Sequence, residues 1–129
     1  MLSIEEFDIK LETEVIGRHF TVLEEVDSTN KFVLDSANGI KNDGSVVFAE
    51  FQSAGRGRLD RVWTSSKEQN LTFTILLDLQ HHSIRHPQLL NFVASIAVAR
   101  SIENLHMVKT NLKWPNDVMI GQKKIAGIL

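Results

Sequence analysis

Three arginines and two glycines crowd into one short stretch, Gly55 to Trp63, with the sequence GRGRLDRVW. Arg56, Arg58 and Arg61 each carry a permanent charge on a planar group with several N–H donors, and Gly55 and Gly57 permit unusual dihedrals and close backbone approach. Such a loop suits phosphate or carboxylate oxygens; a solvated basic loop is the other reading of the same residues. It is not a P-loop, because the chain has no GxxxxGK[ST]. Nor is it a dinucleotide fingerprint, because Asp60 stands where the third glycine of GxGxxG belongs.

Other candidates are weaker taken singly. Asp27 to Asn30 (DSTN) is a helix cap first, since side-chain oxygens there accept from the free amides of a first turn. A cap leaves a second hydroxyl at a helix start, which favours polar or anionic ligand groups. Gln52 precedes the arginine loop and offers both a donor and an acceptor, suited to an amide or ureido partner. Lys113 to Asp117 (KWPND) joins an aromatic to a proline turn and two oxygen-rich side chains; local turn bonding is its alternative. One lysine of the pair Lys123 and Lys124 is expected to point inward from its strand, as a point charge for phosphate, although hairpin lysines commonly face solvent. His81, His82 and His86 lack a third ligand in a recognisable pattern and are read as no metal site.

These residues need elements to position them. Residues 19–26 (HFTVLEEV), 45–51 (SVVFAEF) and 70–79 (NLTFTILLDL) read as strands, the last apolar enough to be central. A short helix should follow Asp27 to Thr29 and stop at Asn38-Gly39. Between the second and third strands runs a long polar loop, and loops above about 12 to 15 residues are functional or disordered more often than not. Leu89 to Ile102 carry apolar residues around most of a helix surface, which predicts a buried helix. VMI then pairs with KKIAGIL across Gly121-Gln122, with glycine where a type II′ turn wants it. Residues 1–18 form a peripheral helix or arm.

Composition narrows the class. At 129 residues with 43% apolar content and no low-complexity linker, one domain with a real core is expected, 1–129, incomplete because it stops on an apolar strand. A net charge of -2 argues against a general nucleic-acid or anionic-membrane surface. The absence of cysteine removes thiol nucleophiles and disulfides and fits the cytoplasm. No run approaches the ~20 apolar residues of a membrane span.

Taken in order, DSTN, Q-x-A-GRGR-x-x-R-x-W, KWPND and K-x-AG-I-L resemble the biotin protein ligase family over residues 20 to 129, the first part of that family's catalytic domain. The resemblance implies an α+β fold: a mixed β-sheet with helices packed on one face, as in lipoate ligases and class II aminoacyl-tRNA synthetases. It implies ATP-dependent activation of biotin to biotinyl-5′-adenylate, then transfer to a lysine of a biotin carboxyl carrier protein. Lipoate or octanoate ligation, or a non-catalytic biotin-binding fragment, are the alternatives. By resemblance, Ser28, Thr29, Gln52, Gly55, Arg56, Gly57, Arg58, Trp63 and Lys124 would hold biotin. Arg58, Arg61, Asn116, Asp117 and Lys124 would serve ATP, with Asp117 a candidate for its Mg2+. Arg58 and Lys124 would be the catalytic pair. A helix-turn-helix is absent, so no DNA binding is expected; a homodimer is allowed.

The sequence departs from that family at three places. Relatives commonly carry glycine at Asp60, and proline and glycine at Ser66 and Glu68. An acid within the arginine loop weakens its field, and lost glycine narrows its backbone options.

Overall fold

A computed structural model describes residues 2–129; Met1, the first residue of the expected N-terminal arm, lies outside the described residues. The chain forms two compact units, one up to His82 and the other from Ser83 to Leu129.

In the first unit the N-terminal arm contains a short helix. α1 (Ile4–Lys10) starts at Ser3, whose hydroxyl accepts from the Glu6 amide, with Glu5 and Glu6 in the first turn and Lys10 in the last. Both ends therefore suit the helix dipole. Phe7 stacks on Phe20 with ring centroids 4.2 Å apart. Phe20 opens β1 (Phe20–Leu23), shorter than the stretch read from the sequence.

Ser28 caps α2 (Thr29–Leu34), accepting from the Lys31 amide. A 3-10 turn, Ser36–Asn38, ends at Gly39 with φ 70°, the left-handed stop that Asn38-Gly39 predicts. β2 (Val46–Ala49) pairs parallel with β1 and antiparallel with β3 (Thr72–Ile75), giving a mixed sheet of order β1-β2-β3.

The central strand is β2, not β3 as the apolar run 70–79 suggests. VVFA is apolar on both faces and buried throughout, whereas β3 alternates. Thr72 and Thr74 are half-buried, while Phe73 and Ile75 remain 46% and 38% exposed. The polar pair lies on the face that carries α2, and Phe7 covers part of the opposite face through Phe20.

The second unit begins with Pro87 opening a 3-10 turn, Pro87–Leu89, which runs into α3 (Leu90–His106). This helix is not buried as its apolar content predicts. Ser95 and Ala99, one turn apart, are its buried residues, and Val93 and Ile96 are 61% and 43% exposed. The helix packs on two short strands through a narrow stripe of small residues, so apolar groups around the rest of its circumference stay open.

Those strands are β4 (Asn111–Lys113) and β5 (Asp117–Ile120), followed by β6 (Lys123–Gly127), in an antiparallel sheet of order β4-β5-β6. Val118 is fully buried at its centre. Gly121 takes φ 56° while Gln122 does not enter the left-handed region, as a type II′ turn requires. A register shift at Val118/Met119 interrupts the β5–β6 ladder. Among the described residues the six strands thus form two sheets, the expected mixed one and an antiparallel one.

Candidate functional site

The parallel pairing of β1 and β2 reappears past their ends as an isolated bridge between Val26 and Gln52. The Val26 amide donates to the Phe51 carbonyl at 3.1 Å, Ser53 N to Val26 O at 2.9 Å, and Ala54 N to Asp27 O at 2.9 Å. These bonds set the DSTN start of α2 against the segment entering the arginine loop.

Gln52 is buried, and its Oε1 accepts from the Thr29 amide at 2.8 Å and from the Thr29 hydroxyl at 3.0 Å. A backbone N–H can only donate, so the amide must turn its oxygen to Thr29 and keep Nε2 for other partners. Gly55 lies beside that nitrogen: a Cβ on Gly55 would stand 2.9 Å from Gln52 Nε2 and 2.5 Å from the Trp63 carbonyl oxygen. Close approach, rather than an unusual dihedral, is what glycine supplies here.

Ser28 uses a lone pair to cap α2, at 3.5 Å from the Lys31 amide. Lys31 pairs back onto Asp27. That hydrogen bond, and the Ser28 amide after it, hold the Asp27 carboxyl below its usual range. One residue that sequence reasoning did not single out, Thr74, joins the cluster. Thr74 Oγ1 lies 2.9 Å from Thr29 Oγ1 and also meets Asn30 Oδ1. Thr74 was detectable in principle from the Thr72/Thr74 alternation, but only the pairing of β3 with β2 tells which face they share.

The arginine stretch is not structureless. Gly57 N donates to Arg61 O at 2.7 Å, Trp63 N to Gly55 O at 2.9 Å, and Arg56 bridges Val62, forming a small antiparallel hairpin. The left-handed residues at its tip are Leu59 (φ 55°) and Asp60 (φ 57°), and Glu68 (φ 60°) lies farther on. The unusual dihedrals expected of Gly55 and Gly57 therefore sit on Leu59 and Asp60 instead. Two of the three positions where the sequence departs from the resembled family, Asp60 and Glu68, are ones whose backbone favours glycine.

Arg56, Arg58 and Arg61 are all exposed, and none forms an ion pair with a described residue. Their donors are available to an anion. Trp63 is half-buried at the hairpin's foot. Ser65, just beyond it, buries a hydroxyl that has no hydrogen-bond partner among the described residues. Two hollows open in this unit, of about 320 and 400 Å³, and no expected site residue lines either. The Ser28, Thr29 and Gln52 groups form a polar cluster at the start of α2.

In the second unit, Lys124 Nζ lies 2.7 Å from Asp117 Oδ1 across β5 and β6, bringing together two of the residues expected to serve ATP. Neither lysine of the 123/124 pair is buried, so the expected inward-pointing side chain is instead an interstrand ion pair. Asn116 closes the KWPND turn: its Nδ2 donates to the Ile128 carbonyl at 2.6 Å, and the Ile128 amide returns a bond to Asn116 O at 2.9 Å. The Asn116 side chain thus ties the turn to the chain twelve residues on. His82 is engaged by Asp43 at 2.6 Å, and His86 Nδ1 lies 3.3 Å from Gln88 Nε2. Among the described residues no group of three or more His, Asp or Glu could hold a metal.

Residues 22–129 match the biotin/lipoate A/B protein ligase family. The Bacillus spizizenii bifunctional ligase/repressor BirA is 38% identical over 128 residues, covering 99% of this chain and 39% of that protein. The Mycobacterium tuberculosis biotin--[acetyl-CoA-carboxylase] ligase is 35% identical over 116 residues, 87% of this chain and 44% of its own length. Among solved structures, the biotin protein ligase from Aquifex aeolicus in complex with biotin and ATP aligns with a TM-score of 0.78 at 32% identity, over 88% of this chain and 46% of that one. The Leishmania major ligase in complex with biotinyl-5-AMP gives 0.76 at 26% identity, over 88% and 51%. The chain therefore spans between 39% and 51% of the length of these proteins. The motifs that carried the resemblance fall within the matched residues, and the chain belongs to the biotin/lipoate A/B protein ligase family.

Proposed function

We propose that this chain carries the biotin-recognising part of a cytoplasmic biotin protein ligase. Within the complete protein, biotin is activated with ATP to biotinyl-5′-adenylate and pyrophosphate, and the biotinyl group passes to a lysine of a carboxyl carrier protein. The observation that carries this reading is the pairing of Thr29 with Gln52 beside Gly55. It leaves an amide N–H and hydroxyl groups for a ureido ring. Trp63 supplies apolar contact at the foot of the hairpin.

Gly55, Arg56, Gly57 and Arg58 form the loop that meets biotin's carboxylate and the adenylate, and Arg61 reaches the phosphates. Bringing a carboxylate to a polyphosphate joins two anions, so cations fixed where charge develops lower the barrier, each commonly by about 10²-fold or more. Lys124 and Asp117 serve ATP, with Asn116 bracing their turn. Magnesium enters with ATP and takes few protein ligands. Asp117 offers such a ligand, with its Oδ1 2.7 Å from Lys124 Nζ.

Calorimetry of the chain and of Arg58→Ala with biotin and with biotinyl-5′-adenylate tests the loop assignment. Loss of a charged, multidentate donor is expected to weaken the adenylate by about 10- to 100-fold. Equal affinities for both proteins count against it. Biotin-dependent pyrophosphate exchange in the complete protein tests the reaction, and exchange with lipoate in place of biotin would assign lipoate ligation instead.

A further inference from the structure

Resting on the biotin reading, we propose that Thr74 is a positioning residue for the ureido ring, acting through Thr29. The argument is a count of protons. Thr29 Oγ1 owns one, and Gln52 Oε1, which can only accept, takes it at 3.0 Å. The 2.9 Å contact between Thr74 Oγ1 and Thr29 Oγ1 then requires the proton of Thr74. Thr74 shares that proton with Asn30 Oδ1, so one hydroxyl on β3 grips two side chains of the first turn of α2.

The direction of the chain follows: Thr74 donates to Thr29, and Thr29 donates to Gln52. Thr29, only 3% exposed, is held on both sides and keeps a lone pair for a ligand. Gln52 Oε1 already takes two donors, so Gln52 offers its Nε2 hydrogens. Ser28 spends a lone pair on the Lys31 amide and retains its own proton. A cyclic urea has one carbonyl that needs donors and two N–H groups that need acceptors. Gln52 Nε2 and Ser28 Oγ meet the first need, and Thr29 Oγ1 meets the second. Without Thr74 the Thr29 hydroxyl loses one of the two bonds that fix its rotamer, and the acceptor is no longer preorganised.

The test is calorimetric binding of biotin to this chain and to Thr74→Val, Thr74→Ser, Thr29→Val and the Thr29→Val/Thr74→Val double variant. Valine keeps the shape and the strand preference and removes the hydroxyl, so T74V should bind biotin about 5- to 10-fold more weakly. T74S should recover most of the loss. In the T29V background T74V should add little, because its effect runs through Thr29. Unchanged binding by T74V, no recovery by T74S, or full additivity in the double variant overturns the proposal. Should circular dichroism show T74V unfolded, Thr74→Cys, near in volume with a weak donor, carries the same comparison. If the unsubstituted chain fails to bind biotin while folded, the biotin reading falls first and this inference with it.

Discussion

Changing Gly55 to alanine isolates the role of close backbone approach in the cluster. The new Cβ would stand 2.5 Å from the Trp63 carbonyl oxygen and 2.9 Å from Gln52 Nε2. Neither neighbour yields freely. Trp63 is tied to Gly55 by its own amide, 2.9 Å from the Gly55 oxygen, and Gln52 is held at its other end by two bonds to Thr29. Overpacking of this kind costs about 1–3 kcal/mol, and opening the Trp63–Gly55 bond to relieve it costs about 1 kcal/mol. Whichever route relaxation takes, the Gln52 amide shifts, so biotin affinity should drop by about 10-fold or more. Gly57→Ala is the internal control. A Cβ there meets Arg61 Cβ at 3.5 Å, an ordinary contact, and its φ is outside the left-handed region. That variant should be neutral, or stabilised by about 0.4–1 kcal/mol through its unfolded state. Urea unfolding of both proteins supplies the comparison, with biotin calorimetry of G55A against the unsubstituted chain for the shift of Gln52. Like behaviour of G55A and G57A would refute the packing argument.

Three further outcomes are expected. Glu68→Gly should raise the urea midpoint at unchanged slope, since relief of a left-handed side chain, worth about 1–2 kcal/mol, exceeds the entropic cost of glycine, about 0.5–1 kcal/mol. Asp60→Gly should act the same way but less, because aspartate tolerates that region better; destabilisation by both would contradict the dihedral argument. The Asp43 carboxylate accepts from the Asp78 amide at 2.8 Å and pairs with His82, and these, the amide first, hold its pKa below the usual 3.8. A carboxyl whose pKa is lower when folded stabilises fully above its unfolded value, so this contribution disappears as pH falls below 3.8 through the folded pKa. Asp43→Asn should therefore flatten the stability profile in that range, and an unchanged profile between pH 2 and 4 would be evidence against it. Finally, Glu103 ties the end of α3 to the approach of β4 by accepting from Thr110 N and Oγ1, both at 2.8 Å. Glu103→Ala should speed amide exchange at Thr110, and equal protection would show the tie to be idle.

What the sequence disclosed and what it withheld divide along a physical line. Local signals were sound: Ser28 caps α2, Gly39 stops the turn after it, and Gly121 opens the β5–β6 hairpin, because each depends on a few neighbouring residues. Strand rank was harder to see, since NLTFTILLDL has more apolar residues than SVVFAEF yet lies at the edge of its sheet. Burial on both faces follows from having two neighbours, which composition does not report. The arginine loop shows the same division. Its charge and glycines were plain in the chain, but its folding into a hairpin depends on three pairings, and its strain falls on Leu59 and Asp60 rather than on the glycines that draw the eye.

The cluster around Gln52 carries the lesson furthest. Ser28 and Thr29 read first as a helix cap, Gln52 alone was uninformative, and their association rests on the parallel register that sets Val26 opposite Gln52. That register also decides which hydroxyl faces which amide, and hence which groups donate and which accept. Thr74 entered the cluster through a second register, Val47 opposite Thr74, which no motif records. A ligand site assembled by strand pairing thus has members that resemblance names and members that only the hydrogen-bond polarity exposes. The second kind is where substitutions that touch no ligand should still change its affinity.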